Sequence, residues 1–132
     1  MSGCCGTPTR QKQPCPRCGQ PGAAVSERTL LHHLQQPWER EIRDAWFCGN
    51  PDCNAIYFLA DQTIFSQTDL RTPVGLKNQQ DDALLCYCFG IDRKTLAARP
   101  ELRNFVIERT RDNQCDCEIR NPSGRCCLKH FP

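Results

Sequence analysis

Long hydrophobic segments are absent from this 132-residue sequence, and that absence excludes one class of protein at once. No stretch approaches the roughly 18 consecutive apolar residues that a membrane-spanning helix needs, so we expect no insertion into a membrane. Leu, Ile, Val and Phe are also sparse, so a large apolar core is not expected. A chain this poor in core residues needs another source of stability, such as disulfides or bound metal.

The charge balance excludes further functions. Lys and Arg number 17 and Asp and Glu number 15, so the formal net charge is only +2. This balance, and the lack of a basic stripe interleaved with aromatic residues, argue against a nucleic-acid partner. The sequence also contains no acid–base pair, no nucleophile beside a base and no phosphate-binding loop. We therefore expect a binding or redox protein rather than a conventional enzyme.

Cysteine, in contrast, is abundant, with 12 residues. The first residues, Met1 to Gly6, contain no apolar run, so we expect no secretory signal and a cytoplasmic location. The cytosol is reducing, and clustered cysteines there usually bind metal rather than form disulfides. The cysteines therefore predict metal sites.

The pattern of the sequence changes along the chain, and the expected fold class is α+β. Short extended runs such as Ala55–Leu59 predict a β module, and the run Ala23–Leu34 is also predicted as a strand. Asp92 is a good N-cap for a short helix, and Pro100 suits the first position of a second helix that ends near Asp112. The expected boundaries are a disordered lead-in over residues 1–14, a β module over 15–70, a connector over 71–82 and a small helical module over 83–132.

Two cysteine pairs in the β module have the spacing of a zinc site. Cys15 and Cys18 form a C-x2-C turn followed by glycine, and Cys48 and Cys53 form a C-x4-C turn rich in turn residues. Two such turns close a tetrahedron, the geometry in which zinc binds four thiolates at about 2.3 Å. Because no ligand position is left open, the sequence predicts a structural zinc site in a zinc-ribbon-like module. Four unrelated reduced cysteines are the alternative.

A second site is predicted at Cys86 and Cys88. Side chains two residues apart in an extended chain point to the same side, at about 7 Å, which suits two thiolates on one iron. The helix capped by Asp92 begins beside them, and its N-terminal amides favour the negative charge of a thiolate-ligated cluster. The pattern predicts an iron–sulfur cluster, with a second zinc site as the alternative. The remaining two ligands must come from Cys115, Cys117, Cys126 and Cys127.

The sequence resembles a known family at these motifs. The run Leu85–Ile91 looks like the cluster loop of bacterioferritin-associated-ferredoxin-like domains, which hold a 2Fe–2S cluster on a small helix-turn-helix fold. The segment Trp46–Cys53 ahead of it and the segment Asn121–Cys127 behind it are similar to the N-terminal half of CopZ-type archaeal copper chaperones. Those chaperones add a C-terminal heavy-metal-associated domain, which these 132 residues do not contain.

The resemblance implies a zinc-bearing lobe beside a 2Fe–2S lobe, with redox activity that reduces cupric to cuprous copper. Adjacent residues in an extended chain face opposite ways, so only one of Cys126 and Cys127 is expected to bind. One ligand from each side of the turn after Arg120 fits the CopZ-like layout, which favours Cys117 and Cys127. Cys115 with Cys117 is the alternative pair. The expected cluster ligands are Cys86, Cys88, Cys117 and Cys127.

The expected function is one-electron transfer linked to the handling and reduction of copper or another soft metal ion. Its partner would be a redox protein or a copper-handling protein. One alternative is a copper chaperone that delivers metal on thiol ligands, and another is a zinc-ribbon adaptor that binds protein. Cys4 and Cys5 form a vicinal pair that could bind Cu+ transiently, the alternative being an exposed pair without a role.

Overall fold

The structure is a computed structural model that describes residues 10–131. An antiparallel five-stranded sheet with one helix forms the first lobe, and a two-stranded hairpin with short helices forms the second. The elements are, in chain order, β1 (Gln13–Pro14), β2 (Pro21–Val25), α1 (Glu27–His33), β3 (Ala45–Phe47), β4 (Ala55–Leu59), β5 (Ile64–Ser66), β6 (Leu84–Cys86), β7 (Ile91–Asp92), α2 (Arg93–Ala98), α3 (Leu102–Arg111) and α4 (Cys117–Arg120).

The sheet of the first lobe has two different faces. Its strands lie in chain order from β1 to β5, and β4, in the predicted position, is buried along its whole length. Because side chains alternate along a strand, Tyr57 and its partner Phe47 point into an apolar core, with their rings in edge contact. Trp46 and Phe58 stack on the opposite face, at 5.9 Å between ring centroids, where they pack with four cysteines.

The sequence predicted one strand over residues 23–34, but the structure divides this segment into a strand and a helix. β2 ends at Val25, and α1 begins after Ser26, whose hydroxyl accepts a hydrogen bond from the Thr29 N–H at 3.2 Å. This N-cap satisfies one of the amides that a first helical turn leaves unpaired. The resulting helix places Leu30 and His33 in buried positions.

Residues 10–14 belong to the first lobe, whereas the sequence predicted a disordered lead-in over residues 1–14. The Arg10 guanidinium donates to the carbonyl oxygens of Val25 at 3.0 Å and Ala45 at 2.7 Å, and it lies over the Trp46 ring. β1 then pairs with β2. These long-range contacts hold a polar segment for which the local sequence predicts no secondary structure. Residues 1–9 lie outside the described residues.

The second lobe begins with the β6–β7 hairpin and α2. Asp92 caps α2 by accepting a hydrogen bond from the Thr95 N–H at 2.7 Å, and the helix has the predicted bounds. α3 begins two residues after Pro100 and ends before the cap residue Asp112, with Val106 fully buried. The local signals therefore placed both helices to within two residues.

The tail contains more helix than the sequence predicted. α4 occupies four residues, and a 3-10 turn spans Cys127–His130. Between them the predicted turn closes with a hydrogen bond from the Gly124 N–H to the Asn121 carbonyl at 2.8 Å, and Gly124 has a positive φ of 70°. α4 packs against α1 of the first lobe. The turn at residues 121–124 was predictable from its own residues. A helix as short as α4 is not stable by itself, so it depends on tertiary contacts and was not predicted.

The fold is therefore a small mixed α/β fold with antiparallel sheets. Among residues 10–131, none of the helices has the length and apolar character required to cross a membrane.

Candidate metal centres

The first sulfur group comprises Cys15, Cys18, Cys48 and Cys53. Their four Sγ atoms all lie within 4.8 Å of one another. Cys18 is half-buried and the other three are buried on the sheet face that carries Trp46. Four mutually close thiols of this kind are a ligand set for a single tetrahedral metal ion.

The C-x2-C turn holds its two cysteines through backbone hydrogen bonds. The Gly19 N–H donates to the Cys15 carbonyl and the Cys15 N–H to the Gln20 carbonyl, both at 2.8 Å. The Arg17 N–H points at the Cys15 Sγ at 3.4 Å. Gly19 has a φ of 80°, a conformation that glycine adopts without steric cost, which explains the glycine behind this turn.

The C-x4-C turn is held by its own polar residues and by the connector. The Asn50 side chain accepts from the Asp52 N–H at 3.0 Å, and the Cys53 N–H donates to the Asn50 carbonyl at 3.1 Å. From the connector, the Lys77 ammonium donates to the Asn50 carbonyl at 2.7 Å and to the Cys53 carbonyl at 2.9 Å. A lysine in a polar connector has no sequence signal for this role, and sequence reasoning missed it.

The thiols of the first group differ in acidity. A hydrogen bond from the Gln20 backbone lowers the pKa of Cys18 to about 6. Burial raises the pKa of Cys48 to about 12, although the positive charge of Lys77 opposes this shift, and burial also raises the pKa of Cys53. One thiolate therefore forms readily near neutral pH, and a divalent cation would displace the remaining protons as it binds.

The second sulfur group comprises Cys86, Cys88, Cys117 and Cys127, the residues predicted as cluster ligands. The Sγ atoms of Cys88 and Cys117 lie 3.6 Å apart. Cys127 interacts electrostatically with both Cys86 and Cys117, so the four thiols form one group. Within residues 10–131, mutual distances below 4.8 Å among three or more metal-ligating side chains occur in the first group alone.

Separate elements bring the second group together. Cys86 ends β6, and Cys88 lies in the turn that Gly90 closes with a φ of 70°. Cys117 begins α4, and Cys127 begins the final 3-10 turn. Cys86, Cys117 and Cys127 are fully buried, and Cys88 is half-buried with its Sγ accepting a hydrogen bond from the Asp116 N–H at 3.0 Å.

Interactions between the thiols of the second group shift their pKa values in different directions. The bond with Cys127 lowers the pKa of Cys86, whereas the bond with Cys117 raises the pKa of Cys88 and of Cys127. Metal ions bind sulfur as thiolate, so binding at this group would displace the thiol protons.

Two further cysteines among residues 10–131, Cys115 and Cys126, belong to neither group. Cys126 is a half-buried free thiol next to the fully buried Cys127. Cys115 was expected to be a spare thiol or the alternative ligand, but it is disulfide-bonded. The predicted transient copper site at Cys4 and Cys5 lies outside the described residues.

Comparison with known proteins gives the family. A CopZ-type family model, described as a zinc binding domain, matches residues 12–71. The X-ray structure of the Archaeoglobus fulgidus CopZ N-terminal domain superposes with a TM-score of 0.76 at 32% identity, covering 91% of this chain and 99% of that one. This chain belongs to the family of CopZ-type N-terminal regions. The full-length copper chaperone CopZ of A. fulgidus is 33% identical over 121 residues, which are 89% of this chain and 59% of the chaperone.

The CopZ-type family agrees with the first lobe in detail. The matched zinc binding domain contains all four cysteines of the first sulfur group, so the family and the geometry both support Zn2+. The second lobe lies beyond that domain, and the superposition on the CopZ N-terminal domain, which covers 91% of this chain, includes most of it. The chain spans about three-fifths of the curated relative's length.

Proposed function

We propose that this chain is a copper-handling protein of the chaperone type, which acts on metal ions through its cysteines. The observation that supports this best is the convergence of eight cysteines into two sulfur groups in a CopZ-type chain. Thiolates are soft ligands that suit Cu+, Zn2+ and iron–sulfur clusters. Copper ions are then the cargo, and a copper-handling protein in the cytoplasm is the partner.

The first sulfur group fits a structural zinc ion. Its four thiols supply a complete tetrahedral ligand set and leave no position for a substrate. Cys15, Cys18, Cys48 and Cys53 would hold the zinc, and Lys77 would offset the negative charge of the four thiolates. In this role the zinc joins the two cysteine turns at one face of the sheet and stabilises the first lobe.

The second sulfur group fits a 2Fe–2S cluster. Such clusters take four cysteine thiolates, two on each iron, and the group offers four thiols, three of them fully buried. Bound there, a 2Fe–2S cluster would supply one-electron transfer. The protein's own part is to bury three of the four sulfurs and to direct the Asp116 N–H at the Cys88 Sγ. Hydrogen bonds of this kind tune the reduction potential of iron–sulfur sites.

The finer proposal is therefore that the second lobe donates one electron to Cu2+, producing the Cu+ that a chaperone transfers. The electron reaches the second lobe from a redox partner protein, and Cu+ leaves for the copper-handling partner. In the simpler form of the proposal, the chain binds and delivers Cu+ on thiols without reducing it. Both forms require the cysteines, and they differ in whether the chain changes the oxidation state of copper.

A copper assay separates the two forms. The anaerobic protein is reduced with dithionite, desalted and mixed with one equivalent of Cu2+ and a chromogenic Cu+ chelator. We expect about one Cu+ per chain, with no loss of free thiols, and this yield should disappear in Cys127→Ser but not in the adjacent control Cys126→Ser. A parallel sample receives Cu+ directly, and retention of that Cu+ after desalting, without reduction of Cu2+ in the first sample, would support the chaperone form alone. If the chain neither reduces Cu2+ nor retains copper, the proposal is refuted.

A further inference from the structure

Residues 118–125 lie between two cysteines of the second sulfur group, Cys117 and Cys127. This connecting segment is unusually well buried. Asn121, Pro122, Ser123 and Gly124 are all buried. Connecting segments normally run over the surface, because buried backbone groups need partners. The partners of this segment come largely from the first lobe.

Three side chains of the first lobe donate to carbonyl oxygens of the segment. The Thr29 hydroxyl donates to the Glu118 carbonyl at 2.6 Å. The Tyr57 hydroxyl donates to the Pro122 carbonyl, and both groups are buried. Each donor lies more than sixty residues away in the sequence from its acceptor.

His33 is the third donor, and its tautomer follows from its partners. Nε2 lies 2.5 Å from the Ile119 carbonyl oxygen, which can only accept, so Nε2 carries the proton. Nδ1 then accepts from the Thr72 hydroxyl at 2.7 Å. Burial lowers the pKa of His33, which favours this neutral form. The ring therefore links the connector, α1 and α4 in a fixed orientation.

The opposite side of the segment also contacts the first lobe. The Arg125 guanidinium donates to the Ala24 carbonyl of β2 at 2.6 Å. A Cβ built at Gly124 would lie 3.3 Å from Val25 Cγ1 and 3.5 Å from the Thr29 Oγ1, so the two lobes meet closely there. Within the segment, the Asn121 amide donates to the Arg125 carbonyl at 3.0 Å, which holds the turn in shape.

We propose that Thr29, His33 and Tyr57 are positioning residues for the second sulfur group. They fix the backbone between Cys117 and Cys127, and so they set the separation and orientation of the two thiols. The first lobe, stapled by its own sulfur group, thereby acts as the template on which the second metal centre is assembled. This inference rests on the proposed function only in that the second group binds metal.

Tyr57 is the best place to test the inference, because Tyr57→Phe removes one donor and keeps the buried ring. Ile56→Val is the matched control, since it alters the neighbouring buried residue of β4 and leaves the segment's hydrogen bonds intact. Hydrogen exchange is measured on the full chain with zinc alone, at the amides of Asn121 and Gly124. We expect exchange at least ten times faster in Tyr57→Phe than in Ile56→Val. Equal rates in the two variants would overturn the inference.

Thr29 gives a second test with a conservative rescue. Thr29→Val removes the hydroxyl, whereas Thr29→Ser retains it. After reconstitution with iron and sulfide, we expect Thr29→Val and Tyr57→Phe to change the visible circular dichroism of the centre, and Thr29→Ser to restore the original spectrum. Unchanged spectra in both hydroxyl-deleting variants would contradict the positioning role.

The two proposals fail in different ways. If the original protein takes up no iron or sulfide, the cluster is refuted, while the exchange rates of the zinc-only protein still decide the positioning role. If it takes up both, and the variants match the original in spectrum and in exchange, the cluster is supported and the positioning role is refuted.

Discussion

The two sulfur groups have four cysteines each but different arrangements. In the first, every Sγ lies within 4.8 Å of every other. In the second, Cys88 and Cys117 lie 3.6 Å apart, and no three of the four Sγ atoms lie within 4.8 Å of one another. A mutually close set of four thiols suits one metal ion, and a more widely spaced set suits two metal ions bridged by sulfide.

The groups also differ in what holds them. The first is built from two turns that close through their own backbone hydrogen bonds, with Lys77 added from the connector. The second draws its ligands from a hairpin, a four-residue helix and a 3-10 turn, and the segment between its last two ligands is bonded to the other lobe. The first group is therefore determined mainly by local structure, whereas the second depends on contacts with the lobe that contains the first.

The largest expected effect is loss of the first centre. In Cys48→Ser we expect zinc to be lost and the first lobe to be destabilised by several kcal/mol, since the binding energy of a structural zinc is folding energy, about 10 kcal/mol or more in zinc fingers. Zinc content and denaturant unfolding measure both effects. Cys126→Ser is the control, because this thiol lies outside both groups. Full zinc content with unchanged stability in Cys48→Ser would contradict the assignment.

Loss of the second centre should leave the first intact. In Cys127→Ser we expect iron and sulfide uptake to fall severalfold after reconstitution, while zinc remains at one per chain. Cys126→Ser again provides the control, at the adjacent position. Iron and sulfide in the same amounts in both variants would show that Cys127 is not a ligand. Loss of zinc in Cys127→Ser would reverse the dependence described above, since the first centre would then need the second.

Lys77→Met should weaken the first centre without abolishing it. The substitution removes a positive charge near Cys48 and two hydrogen bonds to carbonyl oxygens of the C-x4-C turn. Loss of an outer partner of a metal site typically reduces affinity about 10- to 100-fold, and we expect a decrease toward the lower value. Competition with a chromophoric chelator measures the affinity, and the exposed Lys94→Met is the control. Equal affinity in the two variants would mean that Lys77 has no such role.

His33 gives the smallest effect and a defined pH dependence. Burial lowers its pKa from the ordinary value of 6.5, so the unfolded chain binds the proton more readily than the folded one. The stability that neutral His33 contributes is therefore complete above pH 6.5 and is lost as the pH falls below it, by at most about 1.4 kcal/mol per pH unit.

Unfolding curves at pH 5.5 and 7.5 test this against His33→Gln. Protonation of the zinc ligands affects both proteins equally, so the difference between them isolates the histidine. We expect the advantage of the original protein in free energy of unfolding to shrink at pH 5.5. An advantage independent of pH would mean that the pKa of His33 is the same in the folded and unfolded chains, which would contradict a buried, neutral ring at this position.

How much of this molecule the sequence predicts depends on how local each feature is. The turns at Cys15 and Cys48, the strand β4 and the cap at Asp92 are determined by neighbouring residues, and the structure has them where the sequence placed them. The group around Cys15 was predicted from spacing alone. The choice of Cys117 and Cys127 required the resemblance to CopZ-type proteins, because the spacing within the tail left several pairs open.

The features that were missed depend on distant contacts. Residues 27–33 fold as a helix that packs on α4, which overrides their strand-like pattern. Trp38, a large aromatic residue with no local signal for exposure, is 74% exposed in the 3-10 turn Pro37–Glu39. The donors Thr29 and Tyr57 had no sequence signal, since a hydroxyl that bonds a carbonyl more than sixty residues away leaves no local pattern.

Metal and sulfide analysis of protein purified without oxygen tests the central claim most directly, together with the visible spectrum before and after dithionite. The account predicts one zinc, two irons and two sulfides per chain, with a visible band that bleaches on reduction. Two zinc ions and no sulfide, after reconstitution with iron and sulfide has also failed, would contradict it. The chain would then be a binding module stabilised by two zinc ions, and the difference between its two sulfur groups would need another explanation.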